Sequence, residues 1–148
     1  MALKGLIMKK TIENTIQQFI DDAIFLSNYL KVENLSNPDY DAKLTVKIGK
    51  RIENNATYII QNGGVEQFLK LLDNENIAVA SSAAEYLYPL YPSRCIEIIS
   101  KRAKSIKNPL DRKREEDLIE GLEKDKAFFT GHFKTIYGEE DYKVLSRE

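Results

Sequence analysis

Tryptophan is absent from the 148-residue chain, and cysteine and histidine occur once each, as Cys95 and His132. A lone cysteine excludes an internal disulfide, which fits a reducing, cytoplasmic setting. One cysteine and one histidine leave a single conceivable nucleophile–base pair. Cys95 sits beside Ile96, Ile98 and Ile99, the surroundings of a small buried hydrophobe, so no catalytic residue is assigned. No apolar run approaches the about 20 residues of a membrane-spanning helix. The opening "MALKGLIMKK" has too short an apolar stretch for a secretory signal and no small-residue cleavage site. Met8-Lys9-Lys10 reads as an alternative start, which makes residues 1–7 an extension and residues 1–8 a segment expected to be disordered. Without a secretory signal the N-x-S/T triplets at Asn34 and Asn55 carry no weight.

Charge of one sign is lacking as well. Lysine and arginine total 22 against 23 aspartates and glutamates, for a formal net charge of -1, so no long-range field draws the chain to nucleic acid or acidic lipid. "GKRIENN" and "NGGVEQ" lack the phosphate-loop order of glycines followed by Lys and Ser or Thr. The carboxylate pairs Asp21-Asp22, Glu115-Glu116 and Glu139-Glu140 diverge by about 100° on a helix. Glu13 with Gln17, and Glu116 with Glu120, share faces without a histidine partner. Neither a metal site nor a cofactor is assigned, and the chain is read as a non-enzyme.

What is present is a helical pattern. A hydrophobic fraction of 43% with 30% charged residues suits one ordered domain over residues 1–148. Ile12, Ile16, Phe19, Ile20, Ala23, Leu26 and Leu30 mark one apolar stripe from Thr11 to Val32. Asn37-Pro38 has the residues of a helix start, and Gly63-Gly64 those of a helix stop. A short helix around Phe68 leads into the turn Asp73 to Asn76. The next helix has six Ala or Ser residues among the seven from Ala78 to Ala84, which lets neighbours approach closely and marks it as the central, most crowded element. Pro89 closes it and Pro92 opens the next helix, so "EYLYPLYP" reads as an inter-helix corner rather than a P-x-x-P docking ligand. Asn108-Pro109 starts a long final helix through Ile136. Gly121 and Gly131 each weaken it by roughly 1 kcal/mol relative to alanine, which marks Gly131 as the place for a break. Residues 138–148 are expected to fray or to add a last turn. No stretch alternates with period two, so the fold class is all-α: five to seven helices in antiparallel pairs, as a short solenoid or an irregular bundle.

Leu71-Leu72, the turn Asp73 to Asn76, the alanine-rich helix Ala78 to Leu87, and Pro89 with Pro92 together resemble a HEAT-type helical pair. Where such repeats commonly carry an arginine after the valine of the second helix, Val79 is followed by Ala80. Residues 45–125 resemble a small bacterial family, domain of unknown function 2019. The resemblance implies HEAT-like packing without an established activity, and it includes immunity proteins and adaptors among the expected functions.

Between Arg94 and Arg114 lie eight basic residues, Arg94, Lys101, Arg102, Lys104, Lys107, Arg112, Lys113 and Arg114, followed by an acidic run from Glu115 to Asp125. Such a stripe is ordinarily a solvated face with i, i+4 pairs. A basic nucleic-acid surface is the alternative function. Tyr86 and Tyr88 are 200° apart on a helix, so one of them, with Tyr91, is expected at the rim of a groove. The expected function is therefore recognition of another protein, without membrane involvement. The expected groove lies beside the alanine-rich helix, with Tyr86, Tyr88 and Tyr91 as anchors and Arg94, Lys101 and Lys104 steering an acidic partner.

Overall fold

The apolar stripes become eight α-helices, with no β-strand, among residues 10–148, which the computed structural model describes. The expected extension at residues 1–8 lies outside the described residues. The helices are α1 (Ile12–Tyr29), α2 (Val32–Leu35), α3 (Ala42–Gln61), α4 (Val65–Leu69), α5 (Ile77–Leu87), α6 (Pro92–Ser105), α7 (Pro109–Glu123) and α8 (Ala127–Tyr137). Short 3-10 turns follow α4 at Lys70–Asp73 and α8 at Tyr142–Leu145. The all-α class holds. The helix count exceeds five to seven because the first stripe ends in a separate turn of helix, α2, and the last helix is two.

Capping chemistry sets these boundaries. Thr11, Asp41, Asn76 and Asn108 each accept backbone N–H bonds at the start of α1, α3, α5 and α7, satisfying donors that a helix leaves unpaired. Asn37-Pro38 is not a helix start. The Asn37 side chain accepts from the Asp39 N–H at 2.9 Å, and the Tyr40 N–H bonds back to the Asn37 carbonyl at 2.9 Å. The segment is thereby closed as a turn. Tyr40 stacks on Tyr29, with ring centroids 5.2 Å apart, and the Tyr29 hydroxyl accepts from the Asp41 N–H at 2.8 Å. These contacts delay α3 until Asp41 can cap it.

Gly63 stops α3 as expected. It has φ +82°, and the Gly64 N–H reaches the Ile59 carbonyl at 2.8 Å. The final helix breaks at Asp125, not Gly131. Asp125 takes φ +50°, and the Lys126 N–H bonds to the Gly121 carbonyl at 3.1 Å. This is the same closure with aspartate in the position glycine usually holds. Gly131 lies within α8. Gly121 matters for packing instead. A Cβ there would overlap the Phe129 ring, so α8 lies against bare backbone of α7.

The core runs through Phe19, Ile59, Phe68, Val79, Leu87, Ile99, Leu122 and Phe133, all 0% exposed. Phe19 and Phe68 meet edge to face at 5.0 Å, the arrangement their ring quadrupoles favour. Each such side chain contributes about 2–3 kcal/mol of burial. The alanine-rich α5 is the central helix: Ala78, Val79, Ala80, Ser81, Ala83, Ala84, Tyr86 and Leu87 are buried. Helix α1 packs on α3 and α5, α6 on α5 and α7, and α8 returns to α3.

The chain's last residues add a turn and tie into the Pro89–Pro92 corner. Tyr142 is buried against Phe133 at 4.9 Å. The Arg147 N–H donates to the Leu90 carbonyl at 2.8 Å. The Glu148 carboxylate accepts from the Ser93 and Arg94 N–H groups at 2.9 and 3.1 Å, capping α6 in place of a local side chain. Among the described residues no helix is long and apolar enough to cross a membrane.

Candidate functional site

A groove does run beside α5, but tyrosines do not line it. Tyr86 is 7% exposed and packs against Phe19 and His132, and burial pushes its phenol pKa upward. It is a core residue and no partner can reach it. Tyr88 is half-buried between Phe133 and Tyr142 and borders a separate hollow with Pro89, Pro92, Asp125 and Lys143. Tyr91 is half-buried at the corner. Turning Tyr86 inward leaves Tyr88 on the flank of the helix end, where the docked C-terminal turn covers it.

The basic stripe is also dispersed. Arg94 pairs with Asp73 at 2.6 Å. Arg112 donates to the Ile106 and Lys107 carbonyls, closing the end of α6. Lys113 pairs with Asp117 at 3.2 Å, and Arg114 donates to the Leu30 carbonyl at 2.9 Å. Arg102 turns inward, donating to the Ser81 hydroxyl at 2.8 Å and lying 3.7 Å from the Glu115 carboxylate. Lys101 and Lys104 remain as exposed cations of α6.

The groove lies between α1, α5, α6, α7 and α8. Its inner hollow, about 400 Å³, has an apolar floor that includes Ala23, Leu26, Ile52, Leu118 and Phe129. Its polar wall is Ser81, Ser82, Glu85, Arg102, Arg114 and Glu115. An outer hollow of about 410 Å³ continues toward Ile77, Lys31, Lys107 and Asn108, sharing Ser27, Arg102, Arg114 and Glu115 with the first. Close packing of Phe129 on Gly121 sets part of the inner floor.

Glu85 is the distinctive group of this site. It is the only charged side chain of α5 and makes no hydrogen bond or ion pair among the described residues. Burial raises its pKa from 4.5 to about 7, with further upward pushes from Glu115 and Glu53 and a partial offset from Arg102. The carboxylate form is disfavoured chiefly by desolvation, which Arg102, turned toward Ser81 and Glu115, offsets only in part. Glu115, in contrast, is buried beside that cation.

The two groups that chemistry would otherwise suggest are poorly placed for it. Cys95 is 0% exposed and burial pushes its thiol to about 12, far from the thiolate that a nucleophile requires. Burial pushes the His132 pKa down, against the pull of Glu53 at 3.6 Å. It stacks flat on Phe128 at 6.1 Å. The Asn55 triplet is closed to modification, since Asn55 is buried and donates to Gln18 at 2.8 Å.

Glu85, Arg102, Arg114 and Glu115 were not singled out from the sequence as site residues. One signal was there: a single charge in the otherwise uncharged helix "IAVASSAAEYL". No family model matches the chain, and neither the curated proteins nor the solved structures contain a match to it.

Proposed function

We propose that this is a non-catalytic binding protein, of the immunity or adaptor kind, which takes a segment of a partner protein into the groove beside α5. The observation that carries the reading is the groove itself: two hollows joined along Ser27, Arg102, Arg114 and Glu115, with an apolar floor and a charged wall. Such a mixture suits peptide recognition, in which apolar area gives affinity and a few fixed polar groups give orientation. The HEAT-like pattern of residues 45–125 supports the same reading by analogy of fold alone. The internal pairing of Arg94, Arg102, Arg112, Lys113 and Arg114 favours a protein partner over nucleic acid, because a phosphate backbone is held by many free cations.

Site-specific photo-cross-linking in the native host tests the reading. A photoreactive residue at Asp117 or Lys107, on the groove wall, is expected to trap one protein species that is absent when the same group replaces the exposed Val46 of α3. Identical products from both faces, or none from the groove, would overturn it.

A further inference from the structure

We infer that the inner end of the groove, at Glu85, is a subsite for one organic cation on an apolar stem, an arginine or lysine side chain of the partner segment. The inference rests on the groove being the binding face and adds the chemistry of what enters it.

Two charged groups that line the hollow, Glu85 and Arg114, have no ion-pair partner of their own. Arg102 on α6 stands against Glu115 on α7, and Asp117 pairs with Lys113 on the same helix. Glu53 on α3 is near enough to Glu85 to push its pKa up, and lies 3.6 Å from His132 of α8. Arg114 lines the hollow and donates one bond to the Leu30 carbonyl. Glu85 has neither a hydrogen bond nor an ion pair among the described residues, and it lines a hollow of about 400 Å³, within the about 300–1,000 Å³ of small-ligand sites. A cation there would supply the pairing that Arg102, turned toward Ser81 and Glu115, does not make. A guanidinium or ammonium reaching Glu85 would leave its methylene stem against Leu26, Ile52, Leu118 and Phe129, the division of labour natural to long basic side chains. A ligand carboxylate placed at Glu85 would instead meet like charge there and at Glu115.

The elevated pKa of Glu85 makes the subsite pH-dependent. A cation binds the carboxylate form, so affinity rises as pH climbs from about 6 to about 8.

The probes are N-acetyl-arginine methylamide and its neutral near-isostere N-acetyl-citrulline methylamide, titrated into the full chain while the backbone amides of Ser82, Leu118 and Phe129 are followed by NMR. At about pH 8 the arginine probe is expected to bind at least about tenfold more tightly than the citrulline probe. Glu85→Gln should remove that preference. Glu115→Gln, which frees Arg102 to neutralise Glu85, should reduce it severalfold without altering Glu85. Equal affinity for the two probes, a preference that survives Glu85→Gln, or no amide shift with either probe overturns the cation subsite. The groove reading stands or falls separately, on the cross-links at Asp117 and Lys107.

Discussion

Two carboxylates of this protein, one buried between helices and one half-buried at the groove, meet opposite fates. Asp22, on α1 and 5% exposed, receives Arg51 from α3 through two bonds, Nε at 2.8 Å and Nη2 at 2.6 Å. Glu85, on α5, has Arg102 within electrostatic reach, but that guanidinium is committed to Ser81 and Glu115. At the α1–α3 seam the charge is consumed by the fold, and the bidentate geometry fixes one helix against the other. In the groove the charge is left over. A half-buried carboxyl with a raised pKa and no partner within the fold marks a candidate binding group.

The largest effect should come from breaking the consumed pair. Arg51→Met leaves Asp22 buried without its counter-charge and is expected to cost about 4 kcal/mol, read by urea denaturation. A loss below about 1 kcal/mol would make the pair an ordinary surface contact and dissolve the contrast.

Glu85→Gln should act in the opposite direction. Because the folded-state pKa of Glu85 is raised to about 7 from 4.5, the folded protein holds its proton more tightly than the unfolded chain. Stability is therefore undiminished below about pH 4.5, falls as pH rises through about 7, and stays reduced above that. The variant should gain about 3 kcal/mol at about pH 8 and nothing at about pH 4.

Gly121→Ala tests the groove floor. The added methyl displaces Phe129, and overpacking of this kind costs about 2 kcal/mol. Amide shifts of groove residues such as Leu118 should accompany that loss, while those of Asp22 and Arg51 stay fixed.

The smallest effect belongs to a third carboxylate, the exposed Glu148. Its pKa is lowered by the N–H bonds from Ser93 and Arg94, so its contribution is present above its ordinary pKa of 4.5 and disappears as pH falls through the depressed value. Glu148→Ala should cost less than about 1 kcal/mol, with its pH dependence opposite in sign to that of Glu85→Gln.

The helices were legible because apolar spacing and capping residues are local signals. Boundaries failed where tertiary contacts chose between equally good local options. Asn37-Pro38 and Asn108-Pro109 look alike in sequence, yet only the second caps a helix. Around the first, Tyr29 holds Tyr40 and the Asp41 amide and favours the later start. Gly131 looked like the weaker link, but Asp125 takes the left-handed turn where Phe129 closes on Gly121. The groove beside α5 was expected with tyrosines as its anchors, whereas other side chains line the hollow found there. Tyr86 and Tyr88 carry large aromatic surface, and the core claimed Tyr86. The polar wall joins α5, α6 and α7, and nothing local in the sequence says that Arg102 turns inward or that Glu85 is left without it.

The most direct test of the account is the titration of the Glu85 side-chain carboxyl carbon by NMR in the wild-type protein. The groove account predicts a midpoint of about 7, moving down on addition of the arginine probe. A midpoint near the ordinary 4.5, unmoved by the probe, would show that Glu85 is a solvated or paired surface acid and would contradict it.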